Sequence, residues 1–75
     1  MTYLEVAFSY QSLPGEKEMR ALDGVREVYG IQSLRFDEKA RTVRVLFDAS
    51  RLGDDAVARM LRQAGLGLKE KLTLA

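Results

Sequence analysis

The stretch that decides the fold is residues 30–48, GIQSLRFDEKARTVRVLFD. Apolar residues recur on both sides of a polar turn, DEKART, which is typical of two strands joined as a hairpin. Gly30 stands at the start, where glycine commonly ends a preceding helix because it tolerates a left-handed backbone. The stretch therefore predicts the second and third strands of a sheet, with apolar positions Ile31, Leu34, Phe36, Val43, Val45 and Phe47.

Upstream of this hairpin the sequence predicts a strand and a helix. In residues 2–8, TYLEVAF, apolar and polar residues alternate with the two-residue period of a half-buried strand. A helix is predicted from about Pro14 to Tyr29, with Ser12 as its N-cap, because proline suits the first helical turn. Gly24 inside it should cost about 1 kcal/mol relative to alanine unless a neighbouring backbone needs the space. The apolar face of this helix is predicted to hold Leu22, Val25, Val28 and Tyr29.

Downstream, a second helix and a fourth strand are predicted. Residues 53–65, GDDAVARMLRQAG, place acidic residues in a first helical turn and a glycine at the end, which are the usual boundaries of a helix. Its apolar stripe consists of Val57, Met60, Leu61 and Ala64. The strand that follows is indicated by the alternating leucines Leu66, Leu68, Leu72 and Leu74.

The element order is therefore β-α-β-β-α-β, which predicts an α+β fold. Two right-handed βαβ units interleave most simply into a ferredoxin-like sandwich, with a four-stranded antiparallel sheet and two helices on one face. We expect one domain over residues 1–75, because so short a chain has no room for a second core. The open face of the sheet is predicted to carry Tyr3, Glu5, Ala7, Arg35, Arg44, Leu46, Lys69, Lys71 and Thr73.

The composition excludes several classes of function. With no cysteine and no histidine, the chain can form no disulfide, thiolate nucleophile, imidazole metal site or histidine-dependent catalytic triad. A net charge of +1 lacks the basic excess that drives binding to phosphate backbones. No apolar run approaches the roughly 20 residues needed to cross a bilayer, and no signal peptide is recognisable. We therefore expect a cytoplasmic protein without a membrane segment.

The scaffold resembles the heavy-metal-associated domain family, which includes soft-metal chaperones and the matching domains of metal pumps. The resemblance rests on Gly30-Ile31, the hairpin, Asp48, the helix around Val57 and Leu61, and Gly65-Leu66. The family's specific motif, Gly-Met-x-Cys-x-x-Cys, lies in the first loop and the start of the first helix. Counting back from Gly30 by the usual helix length places its two cysteines at Pro14 and Lys17. The resemblance thus implies the fold in a degenerate form that lacks the CxxC motif.

No other residues are predicted to replace these ligands. Met1, Met19 and Met60 are scattered along the chain. The acidic pairs in the two first helical turns are of the kind that the helix macrodipole favours for structural reasons. We predict no metal ligand, no cofactor and no catalytic residue, and therefore no enzyme, since no nucleophile–base pair or phosphate-cradling glycine loop is present.

The resemblance implies that the first loop and the last helix–strand loop lie near one another. A docking patch of exposed apolar and cationic groups is predicted there, composed of Tyr10, Leu13, Pro14, Lys17 and Leu66. The favoured function is a protein-docking or accessory module related to metal ion trafficking. Its partner would be a transporter, a similar domain or a second copy of the chain. The alternatives are a regulatory module of the amino-acid-sensing type and a nucleic-acid-binding module with the same element order.

Overall fold

The computed structural model describes residues 2–11 and 13–72. In chain order the elements are β1 (Tyr3–Tyr10), α1 (Glu16–Arg26), β2 (Ile31–Asp37), β3 (Thr42–Asp48), α2 (Asp54–Gln63) and β4 (Leu68–Leu72). This order confirms the predicted βαββαβ fold. The predicted cap residue Ser12 and the end of the last predicted strand, from Thr73 onward, lie outside the described residues.

The strands form one antiparallel sheet in the order β2-β3-β1-β4. The two strands of the hairpin therefore occupy one edge and one interior position, while β1 is the other interior strand. Apolar side chains from β1, β2 and β3 meet those of α1 and α2 in one core. Its fully buried members include Leu22 from α1, Val43 and Val45 from β3, and Val57 and Leu61 from α2.

The first helix is shorter than the sequence predicts. It begins at Glu16, after an N-cap at Gly15. The Gly15 N–H donates to Glu18 Oε1 at 3.2 Å, so a carboxylate of the first turn satisfies an amide that the helix cannot pair. At the other end, Val28 N–H donates to Val25 O, a three-residue bond that closes the last turn before Gly30. Val28 and Tyr29 therefore lie beyond α1, and their predicted place on its apolar face is wrong.

A β-bulge changes which residues of β4 face the helices. The pairing of β1 with β4 shifts between Phe8 and Tyr10, where Ser9 Oγ accepts a bond from the Glu70 N–H at 3.3 Å. In the resulting register Lys71 pairs with the buried Phe8, and its ammonium donates to Asp54 of α2. The predicted place of Lys71 on the open face is therefore wrong.

The same register buries Ala7 on the open face. Ala7 lies between Arg44 of β3 and Leu72 of β4 and is only 2% exposed. A methyl group flanked by two long side chains has little contact with water, although no helix covers this side of the sheet. The open face is thus less exposed at its centre than alternation alone predicts.

We expect Gly24→Ala to raise the free energy of unfolding by about 1 kcal/mol. An added Cβ at this position of α1 meets no atom within 4 Å, so alanine brings its helix propensity without a clash. Chemical denaturation of both proteins checks this value. Gly30→Ala is the matched control and should destabilise, because Gly30 has φ +102° and its Cβ would lie 3.0 Å from Leu52 Cδ1. A destabilised Gly24→Ala protein would contradict the prediction.

Candidate functional site at the first loop

Three loops converge at the end of the domain where the docking patch was predicted. The Gln11 N–H donates to Gly67 O at 3.0 Å, which joins the first loop to the α2–β4 loop. The Arg41 guanidinium donates to Gln11 O at 2.7 Å, and the Tyr10 N–H donates to Arg41 O at 3.0 Å, which brings in the turn between β2 and β3. The predicted proximity of the first and last loops is confirmed.

The five predicted patch residues do not share one surface. Leu13 is 53% exposed, Lys17 is exposed and Pro14 is half-buried. Tyr10 and Leu66, by contrast, are 1% and 2% exposed and belong to the core. Their predicted exposure is wrong, because β1 continues through Tyr10 on the helix-covered face and the chain turns inward at Leu66. A docking role for Leu13, Pro14 and Lys17 stays a prediction.

Gly65 explains why the last loop lies so close to the first helix. It has φ +101°, in the left-handed region, and a Cβ added to it would lie 2.9 Å from Glu18 Cγ. Glu18 also accepts the hydrogen bond of the N-cap residue Gly15. One glutamate side chain therefore holds the start of α1 and packs against the loop that leads into Leu66.

Tyr10 presents an unusual polar group at this end of the core. Its ring packs edge-on against Phe36, with 6.1 Å between the ring centroids. Its hydroxyl is buried and has no hydrogen-bond partner among residues 2–11 and 13–72. Burial raises the pKa of Tyr10, the carboxylates of Glu38 and Asp37 add to this shift, and Arg41 opposes it. The phenol therefore stays protonated and can donate a hydrogen bond.

Acidic residues that could have served as ligands are engaged elsewhere. Glu16 forms an ion pair with Arg20 at 2.8 Å, and Asp54 accepts a hydrogen bond from Lys71, which holds the pKa of Asp54 below its usual value. In the part of the chain that the structure describes, no three His, Cys, Asp or Glu side chains cluster as a metal would require.

None of the helices in these residues is long and apolar enough to cross a membrane.

The opposite end of the domain carries an exposed apolar surface that sequence analysis did not find. Among the described residues, the exposed large apolar side chains at this end are Tyr3, Leu4, Val28 and Tyr29. Tyr29 is 70% exposed, and the Arg51 guanidinium carbon lies 4.3 Å from its ring centroid. Periodicity assigned Val28 and Tyr29 to the apolar face of the first helix, and they are exposed because α1 ends before them.

Asp48 organises the loop beside this surface. It is buried, and one of its carboxylate oxygens accepts hydrogen bonds from the Ser50 hydroxyl at 2.6 Å and the Ser50 N–H at 3.0 Å. The bond from the Ser50 hydroxyl contributes most to holding the pKa of Asp48 below its usual value; burial opposes this, and Arg51 assists. A carboxylate with a lowered pKa stabilises the fold above about pH 4, and this contribution is lost as the pH falls through the native pKa.

We therefore expect Asp48→Asn to flatten the loss of stability below about pH 4. The amide oxygen can still accept from Ser50 but cannot titrate, so this part of the acid dependence disappears. Denaturation of both proteins from neutral pH down to about pH 2 measures the slope of unfolding free energy against pH. An unchanged slope would show that Asp48 does not contribute to acid unfolding.

Comparison with solved structures gives fold relatives across nearly the whole chain. Oxidized MerP from Ralstonia metallidurans CH34 superimposes with a TM-score of 0.72 and 14% identity, covering 91% of this chain and 96% of that one. The copper form of a single-site variant of CopA from Bacillus subtilis gives a TM-score of 0.69 and 18% identity, covering 89% of this chain and 90% of that one. The apo heavy-metal-associated domain of the copper chaperone for superoxide dismutase gives a TM-score of 0.65 and 21% identity, covering 99% of this chain and 74% of that one. No protein-family model and no curated sequence matches. At these identities the likeness shows the fold.

Proposed function

We propose that this chain is a protein-docking or accessory module related to metal ion trafficking, of the heavy-metal-associated type but without thiol ligands. The observation that carries the proposal is the combination of that fold, shared with structures named for copper and for MerP, and a sequence with no cysteine or histidine. The proposed module spans residues 1–75, and the cytoplasmic location expected from the sequence stays part of the proposal.

The chemistry of the first loop supports a role without a bound soft ion. The expected ligand positions hold Pro14, which has no side-chain donor atom, and Lys17, whose ammonium repels cations. Soft ions such as Cu(I) select thiolate and thioether sulfur. Met19 is half-buried and packs against the core, so its thioether is not displayed at the loop as a ligand.

The exposed groups of the first loop form the proposed docking surface. Leu13 is exposed, Pro14 is half-buried beside it, and Lys17 lies on the first turn of α1. Leu13 offers an exposed apolar contact with the Lys17 charge nearby, and Tyr10, the aromatic member of the predicted patch, does not contribute because it lies in the core. The partner would be a transporter domain, a similar domain or a second copy, and the role is that of an accessory protein and not of an enzyme.

Amide chemical shifts of the isotopically labelled chain test both parts of the proposal. Additions of Cu(I), Zn²⁺ and Cd²⁺ should leave the signals of residues 9–17 unchanged. Addition of an unlabelled, cysteine-bearing domain of the same fold should shift the signals of Leu13 and Lys17, and Leu13→Ser should weaken this response. A stoichiometric metal response in the first loop would overturn the absence of a metal site. The docking role would be overturned if these signals shifted neither on adding that domain nor on raising the concentration of the chain itself.

A further inference from the structure

A cavity with a cationic lining lies beside the proposed docking surface. It has a volume of about 400 Å³ and opens where the end of β1 meets the β2–β3 turn and the start of β4. Three cationic side chains, Lys39, Arg41 and Lys69, line it. The described lining contains no aspartate or glutamate. In a chain of net charge +1, this is a local concentration of positive charge without a matching anion in the wall.

Arg41 is held in place at the edge of this cavity. Its guanidinium donates one hydrogen bond to Gln11 O at 2.7 Å, which leaves further N–H groups of the planar fork for another acceptor. Its backbone has φ +52°, the left-handed region that residues other than glycine seldom adopt. Such backbone conformations cost energy and cluster at binding and catalytic sites, where surrounding contacts enforce them.

Two carboxylates stand near the cavity without lining it. Asp37 is engaged within the turn, where one of its carboxylate oxygens accepts from the Ala40 N–H at 3.2 Å. Glu38 lies close enough for its charge to act on Tyr10. The three cationic side chains of the lining therefore outnumber these two nearby carboxylates, and one of the two accepts a backbone hydrogen bond. The remaining positive charge suits a ligand that carries more than one negative charge.

We infer that this cavity binds a phosphoryl group, with Lys39, Arg41 and Lys69 neutralising its charge and the Arg41 guanidinium donating to its oxygens. A phosphate dianion offers several acceptor oxygens to a guanidinium fork and to ammonium groups, whereas a carboxylate offers two and a single charge. Free phosphate and the phosphate of a small monoester share this chemistry. The inference does not depend on the docking proposal, since the cavity and the Leu13 surface are made of different residues.

Titration of the labelled chain with inorganic phosphate tests the inference, with phenyl phosphate and acetate in parallel. The amide signals of Tyr10, Gln11 and Arg41 should shift in a saturable way with phosphate and much less with acetate. A response to phenyl phosphate as well would assign the phosphate of a larger molecule as the ligand, and a response to inorganic phosphate alone would assign the free ion. No saturable response to either phosphate, or an equal response to acetate, would overturn the inference.

Matched variants separate the cavity from the overall charge. Lys39→Gln combined with Lys69→Gln should weaken phosphate binding by roughly tenfold or more, as the loss of charge-assisted hydrogen bonds implies. Arg59→Gln combined with Arg62→Gln removes the same charge from exposed positions outside the cavity and should leave phosphate binding nearly unchanged. If both double variants weakened phosphate binding equally, the effect would come from the overall charge of the protein, and the proposed site would be wrong.

Discussion

Replacing Leu66 with alanine is expected to lower the free energy of unfolding by about 2–5 kcal/mol. Leu66 is 2% exposed and packs in the core, and its amide donates to Leu61 O at 3.1 Å, which fixes its backbone just beyond the end of α2. Truncation removes apolar contacts and leaves a cavity that such a small core can fill only in part. A domain of this length has a total stability of roughly 4–11 kcal/mol, so the loss would be a large fraction of it.

Leu13→Ala is the matched control for this experiment. Leu13 is 53% exposed in the first loop, and the same truncation should change the free energy of unfolding by less than about 0.5 kcal/mol. Urea denaturation of the two variants and the parent protein gives all three values. Similar effects of the two substitutions would contradict the assignment of Leu66 to the core and of Leu13 to the surface.

Pro14→Cys combined with Lys17→Cys is expected to create a site for soft metal ions where the natural chain has none. The two thiolates would stand at the start of α1, where the N-terminal macrodipole favours negative charge and lowers thiol pKa values. Structural zinc sites, commonly with four ligands, supply about 10–16 kcal/mol, so two thiolates could supply up to about 8 kcal/mol, a Kd of about 1 µM. Thiolate-to-metal absorption in the ultraviolet on adding Cd²⁺ or Cu(I) measures the gain.

The serine pair at the same two positions controls for the removal of proline and lysine. Pro14→Ser combined with Lys17→Ser also opens the loop and removes the ammonium, but its hydroxyls bind soft ions poorly. It should give no absorption change. If the cysteine pair bound no more tightly than the serine pair, the first loop would not have the shape of a soft-metal site, and the fold likeness would say little about trafficking.

Local periodicity was sufficient to predict the elements and most of the core. The hairpin positions Leu34, Val43, Val45 and Phe47 are buried as predicted, because strand residues two apart share a face whatever the rest of the chain does. Sequence analysis also placed the first and last loops together. It could not place Lys71, since that side chain changes sides through a bulge that depends on the Ser9 hydroxyl and the Glu70 backbone.

The candidate site was predictable in position but not in composition. Residues near a loop were assigned to its surface, yet Tyr10 and Leu66 are in the core while Leu13 is outside it. The cationic cavity escaped prediction for a different reason. Lys39, Arg41 and Lys69 are separated by up to 30 positions and show no motif. Their elements are brought together by hydrogen bonds between Arg41 and the end of β1 and by the β1–β3 and β1–β4 pairings.

By itself, the order of amino acids determined the βαββαβ architecture and ruled out thiolate and imidazole chemistry, because both follow from residue type and from spacing along a few neighbouring positions. Tertiary structure alone decided which end exposes Tyr29, which side of the sheet holds Lys71, and where three cationic side chains line one cavity. These outcomes depend on strand register and helix ends, which are settled by contacts between distant segments and leave no periodic trace in the chain.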